Sequence, residues 1–454
     1  MDKYIKKISE FGLYLLAFLL PWQTRYIIRA GEISGGYSEY VTISLYGTDI
    51  LLVIILLLNF YIVYRQRQST SLNGGSWRFN YWWFLAGLEL FTFISIFFAP
   101  DKLLAAYKYG IFILGLGLFW LIVCSQYDRL KLIWSFSAGV FIQAFLGIWQ
   151  FLSQTSFASK WLGLAVHNPG ELGASVVETM NGTRWLRAYG GLDHPNILGG
   201  VLAVSLLILI ALIFNRFSNS GFKSLIFNER IFNGILYVFG FGFLLSLFFT
   251  FSRGAWAGFL TGVLAILIFT LLKKDKIKQM IILTVIFISV TFMFVLFNFY
   301  SDLVLTRLSK DTRLEIKSNF ERLEFFREAA KIIKDNWLFG TGIGNYSLAL
   351  AQEKKNYPAW DYQPVHNTFL LIWSEIGILG LLAFLGLLGY LSWILIKKEK
   401  LISFSIVVSL IVMMMADHWF WSLHFGILFF WLVLGLVVRG LQFNKSFHES
   451  ANFF

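Results

Sequence analysis

Residues Asn196–Asn215 read NILGGVLAVSLLILIALIFN, without one ionisable side chain. As a helix, roughly 20 residues cross the 30 Å hydrocarbon core of a bilayer. Comparable runs recur along the whole 454-residue chain, which is 57% hydrophobic and 14% charged with mean hydropathy +0.67. Soluble domains carry about a quarter charged residues. The pattern predicts an all-α polytopic membrane protein, a single integral membrane domain over 1–454. About 12 transmembrane helices are expected, at 8–22, 42–64, 81–99, 103–124, 131–152, 196–215, 231–250, 254–272, 279–299, 377–396, 401–416 and 419–440.

Residues 1–22 have a basic start and an apolar stretch but no small-residue cleavage site, and are expected to remain as the first span. Cys124 is the single cysteine, so no internal disulfide framework exists; its apolar run suggests packing. A net charge of +12 would suggest nucleic acid for a soluble chain. Here the charge alternates between connections. Lys3, Lys6 and Lys7 precede span 1. Arg65, Arg67 and Arg78 follow span 2, and Arg129 and Lys131 follow span 4. Arg216, Lys223 and Arg230 follow span 6; Lys273, Lys274, Lys276 and Lys278 follow span 8. Lys397, Lys398 and Lys400 follow span 10, and Arg439 and Lys445 close the chain. Short basic loops stay inside, which predicts cytoplasmic termini. Two long loops, 153–195 and 300–376, then face outward. Their basic residues need another reason, and an anionic substrate is one.

The later loop carries an apolar stripe at Ile316, Phe320, Leu323, Phe326, Ala330, Ile333 and Trp337, the spacing of a helix lying in the membrane interface. Arg322 and Arg327 flank the stripe, placed to meet lipid phosphates or merely to snorkel. FGTGIGNY, 339–346, mimics a phosphate loop, but without the strand and cytosolic helix of a nucleotide site it is read as turn geometry. In QPVHNTF, Pro364 disfavours helix at Gln363 and leaves His366 and Asn367 near the first turn of a helix that Gly377 interrupts just after Glu375. A rigid histidine there suits a general base; a satisfied interfacial histidine is the plain alternative. Glu375 serves equally as a structural partner. Arg253 lies in a connection too short to leave the membrane, a position that marks function. Asp193-His194-Pro195-Asn196 opens span 6, Arg184 and Arg187 precede it, and Asp417-His418 sits at the last outer turn. No Asp-x-Asp, His-Glu-x-x-His or Cys/His spacing is present, so no metal and no cofactor are expected, and arginines must hold a departing diphosphate.

The run from Arg322 to Tyr346, followed by His366-Asn367-x-Phe-Leu and Glu375-x-Gly-x-Leu-Gly, resembles the O-antigen ligase and O-antigen polymerase family; His194–Gly199 and Ser252–Gly254 add to it. Trp337 stands where that family usually has proline. The resemblance implies a GT-C-like, metal-independent glycosyltransferase with a large helical extracytoplasmic loop before span 10. It would act at the outer face of a bacterial cytoplasmic (inner) membrane. Its donor is an undecaprenyl-diphosphate-linked glycan; its acceptor is a lipid A-core sugar for a ligase, or a growing lipid-linked glycan for a polymerase. Membrane lipids are partners and nucleic acid is not. By this resemblance His366, Arg253 and Arg322 are catalytic, with Arg327, Arg187, Arg184, His194, Asn196, Asn367, Glu375 and His418 around the substrate. The long basic late loop favours the ligase; a lipid-linked glycan flippase is the reading from another class.

Overall fold

The computed structural model describes residues 2–67, 81–171, 173–218, 229–309 and 312–442. Arg78, Lys223 and Lys445 of the charge pattern lie outside them. Helix accounts for 74% of the described residues and strand for 5%. The helices are α1 (Asp2–Leu19), α2 (Gly47–Arg67), α3 (Tyr81–Ser95), α4 (Lys102–Cys124), α5 (Arg129–Ser153), α6 (Pro195–Ser218), α7 (Glu229–Phe249) and α8 (Arg253–Leu272). They continue with α9 (Lys276–Phe299), α10 (Ser301–Ser309), α11 (Arg313–Asn336), α12 (Tyr346–Glu353), α13 (Thr368–Lys397), α14 (Leu401–Ala416), α15 (Trp419–Ser422) and α16 (His424–Gln442).

Ten of these helices are long and apolar enough to cross a membrane, and the chain is a multi-pass membrane protein. α14 is apolar but only 16 residues long, and α1 starts with Asp2, Lys3, Lys6 and Lys7. With these two, the described helices cover all twelve expected spans. α6 and α16 form the inside of the bundle: 94% and 100% of their most apolar windows are buried, against 17% for α9. α6 therefore needs no polar face, which is why its sequence is apolar all round.

Span 2 requires a correction. Its helix starts at Gly47, because Ile43–Tyr46 form a strand paired antiparallel with Arg25–Arg29. The connection between α1 and α2 is thus a small β structure. Apolar Ile43 and Leu45 had read as the start of the span, yet they pair in antiparallel register with Arg29 and Tyr26. Cys124 also differs from expectation: it is exposed at the end of α4.

The glycine turn and the interrupted helix explain each other. Gly377 has φ 76° inside α13, and a Cβ there would lie 1.9 Å from the Leu338 carbonyl oxygen. The break frees carbonyls of the preceding turn. Thr341 N–H donates to Ser374 O at 2.8 Å, Gly342 N–H to Glu375 O at 2.8 Å, and Ile378 N–H to Trp337 O at 2.9 Å. Gly340, at φ 71°, fits where a Cβ would press on the Glu375 backbone. This joint locks the end of α11 onto α13. Glu375 is buried inside it, accepting from Trp421 Nε1 at 2.8 Å.

α11 forms over the expected stretch. Its apolar stripe at Ile316, Phe320, Leu323 and Phe326 is exposed, while Ala329 and Ile332 pack inward. Such an outward stripe is what a helix resting on a bilayer needs.

Candidate functional site

Two cavities meet where α6, α8, α11 and α13 converge with the α14–α15 turn. Asn196, Asp417 and Trp419 line both.

The first cavity, about 370 Å³, is basic. Arg253 is the first residue of α8, so its wall includes the helix's opening turn, Ser252 to Ala255. Such a turn attracts anions through its free N–H groups and dipole. Arg307 of α10 and Arg322 of α11 complete the wall. Glu315 pairs with Arg307 and lies 3.3 Å from Arg253. Arg322 makes no hydrogen bond or ion pair with any described residue and stays open to the cavity. Three guanidiniums beside two carboxylates, Glu315 and Asp417, form a fork-rich anion site. Below it, α8, α9 and the ends of α7 and α10 enclose an almost wholly apolar groove of about 480 Å³, from Phe248 and Trp256 to Met293 and Val304.

The second cavity, about 470 Å³, holds the histidines: His194, His366 and His418, with His167 at the side. Asn367 caps α13 by accepting from Leu370 N–H at 3.0 Å and is tied to Met415 O at 3.1 Å, which fixes His366 just outside the first turn. The His366 ring stacks on Phe325, one turn along α11 from Arg322, and packs edge-on to His418. Its Nδ1 is buried without a hydrogen-bond partner. Burial, opposed by Asp417 and helped by Arg322, holds its pKa below the usual value, so the ring is neutral at pH 7.

Asp417 is the hinge between the cavities. Its carboxylate accepts from Asn196 Nδ2 at 2.8 Å and from the His418 N–H at 2.8 Å. Burial would raise its pKa, but His418, His366, His194 and the Asn196 bond hold it down to about 2. Burial pushes His418 down to about 3 against the opposing Asp417, and burial with the neighbouring Arg187 pushes His194 down to about 3; both rings are neutral.

The remaining expected residues divide. Arg187 is buried and braces the hinge: it donates to Asn196 Oδ1 at 2.8 Å and to Thr250 O at 2.6 Å. His194 Nδ1 accepts from Asn196 N–H at 3.1 Å. Arg184 holds Gly170 and Glu171 carbonyls in the outer loop, Arg327 is exposed on α11, and neither lines a cavity here. Asn367 and Glu375 hold backbone rather than cavity. Sequence reasoning missed Arg307 and Glu315, and left Asp417 unassigned although it noted Asp417-His418. It also missed Arg25, Tyr37, Glu39 and Tyr40, which bring the first outer connection into the histidine cavity.

Among the described residues, His366, Asp417 and His418 could hold a metal ion, with ligand atoms within 4.8 Å of one another. Their present bonds compete with that: both Asp417 oxygens are engaged, and His418 Nδ1 lies 2.7 Å from Ser422 Oγ. No curated protein matches the chain. The family model described as O-antigen ligase matches residues 235–385, from within α7 to within α13, spanning Arg253, Arg307, Arg322 and His366. The fold adds His194, Asn196 and Asp417 from outside that stretch, and over residues 235–385 the chain is similar to the O-antigen ligase family.

Proposed function

We propose that this protein transfers a glycan from a polyprenyl diphosphate to a sugar hydroxyl at the outer face of the cytoplasmic membrane. The observation that carries this reading is the pair of cavities, one basic and one histidine-lined, sharing Asn196, Asp417 and Trp419. The diphosphate sits on Arg253, Arg307 and Arg322 at the start of α8. The apolar groove between α8 and α9 takes the prenyl chain. The anomeric carbon then lies at the shared wall.

An acceptor hydroxyl enters from the histidine cavity and attacks that carbon. His366 takes the hydroxyl proton as the new C–O bond forms. The bond from the anomeric carbon to the diphosphate oxygen breaks, and the arginines hold the anion that departs. Single displacement inverts the centre, so an α-linked donor yields a β-glycoside. Asp417 is ionised near the reacting centre and positions Asn196. Arg187 fixes Asn196 from behind. No metal is needed for charge, since the arginines supply it.

The family description supports ligation to a lipid A-core sugar. A polymerase would use the same two cavities with another lipid-linked glycan as acceptor. Purified protein with a synthetic undecaprenyl-diphosphate glycan tests both, offered rough lipopolysaccharide or further donor separately. Product on lipopolysaccharide, absent with His366→Ala, supports the ligase. A ladder of lengthened lipid-linked chains supports the polymerase. No product with either acceptor contradicts the transferase reading.

A further inference from the structure

The histidine cavity carries charges of its own, and they are not those of the donor cavity. Arg25 forms an ion pair with Glu39, donates to Glu39 Oε2 at 2.8 Å and also donates to Tyr46 Oη at 3.0 Å. Tyr37 Oη donates to Glu39 at 2.7 Å. That cation is therefore matched. Asp193 and Asp417 remain as carboxylates on the same wall, Asp417 facing the arginine cavity as well. Asp193 makes no hydrogen bond or ion pair with any described residue and is open to the cavity. The imidazoles add no positive charge, since His194, His366, His418 and His167 all lie below the ordinary value through burial.

A carboxylate is an acceptor only, so Asp193 needs O–H or N–H donors from whatever fills the cavity. Tyr37, Tyr40 and Trp419 offer ring faces or edges beside it. The volume lies within the roughly 300–1,000 Å³ of small-molecule sites. His366 on the cavity wall marks which end receives the reactive hydroxyl. An anionic group placed here would meet the carboxylates of Asp193 and Asp417 on the cavity wall, which selects against it.

We infer that the histidine cavity is an acceptor site for the uncharged or amine-bearing terminal sugar of a glycan, with Asp193 binding its hydroxyls, and that it rejects a phosphorylated terminal sugar. This inference rests on the transfer reading and names the acceptor chemistry of the same site. It also reassigns the charge of the late outer loop. Arg307 and Arg322 serve the leaving diphosphate, so that loop's basic character gives no support to a phosphate-bearing acceptor at the point of attack.

The test compares maltotriose with maltotriose carrying a terminal 6-phosphate, by saturation-transfer NMR on the full-length protein in nanodiscs. The neutral probe is expected to give the stronger contact, by at least tenfold in affinity. Asp193→Asn should weaken the neutral probe several-fold, and Asp193→Lys should shift the ratio toward the phosphorylated one. Equal contact, preference for the phosphorylated probe, or no contact from the neutral one overturns the inference. So does an unchanged ratio in Asp193→Lys protein that melts like wild type. The comparison within wild type stands even where a variant misfolds. In parallel, a photoreactive polyprenyl diphosphate should label wild type and both Asp193 variants equally. Loss of labelling in wild type itself would mean that the donor reading has failed, separately from the acceptor assignment.

Discussion

His366 and Arg253 lie in different cavities and should fail in different ways. Replacing the base typically costs 10²–10⁴-fold in rate. His366→Ala is therefore expected to lose transfer by about that factor in single-turnover assays while keeping its melting temperature. The neutral ring is the working form, and its pKa lies below the ordinary histidine value. Transfer should therefore be flat near pH 7 and fall as acidification protonates His366, along a limb centred below pH 6.5. The limb should be missing from the residual activity of His366→Ala; a limb that persists there would assign it to another group. Arg253→Ala should lower kcat/KM for the donor by roughly 10²–10³-fold. Arg253→Lys should recover only part of that loss, since a point charge does not reproduce a guanidinium fork. Full recovery would show that charge alone suffices. At this scale the sequence was informative where a residue is anomalous for its surroundings. Arg253 at a membrane-embedded turn and His366 beside proline stand out. Asp417 and Glu315 do not, because their meaning lies in partners: Asn196 is far away in the chain, and Arg307 belongs to a different helix.

The elements are held by the joint between the glycine turn and the kink of α13. Each motif had a local explanation in the sequence: positive φ for the glycines, an interruption at Gly377. Their mutual contact was not legible, because it depends on which carbonyls the kink leaves free. Gly377→Ala should destabilise by at least the roughly 1–3 kcal/mol of a strained backbone, because its Cβ would also collide with the Leu338 carbonyl. A lowered thermal midpoint together with reduced transfer is the expected result; an unchanged midpoint would mean that the joint relaxes freely. The strand pair Arg25–Arg29 and Ile43–Tyr46 escaped a reading tuned to spans, because two apolar residues of the second strand extend the hydrophobic run of α2. That error concealed the part of the acceptor wall contributed by Tyr37, Glu39 and Tyr40.

For the whole molecule, the twelve-span plan was legible from hydropathy because the bilayer demands long, uniformly apolar helices and leaves little choice. The two-cavity arrangement was not, because it is assembled from segments spread between Arg25 and Leu423. On our account a reporter joined after Pro358 should be found outside the cytoplasm, and a cytoplasmic reporter would invert the topology. Transfer should also persist in a chelator; its loss would turn His366, Asp417 and His418 into a metal site. The division of labour between the cavities is tested most directly by measuring donor binding and donor turnover together in Arg253→Ala and His366→Ala. Labelling by a photoreactive polyprenyl diphosphate would report the first, and glycan transfer the second. We expect Arg253→Ala to lose both and His366→Ala to keep full labelling while losing transfer. If His366→Ala loses the label, or Arg253→Ala keeps it, the donor does not sit on the arginines and the assignment of the two cavities is wrong.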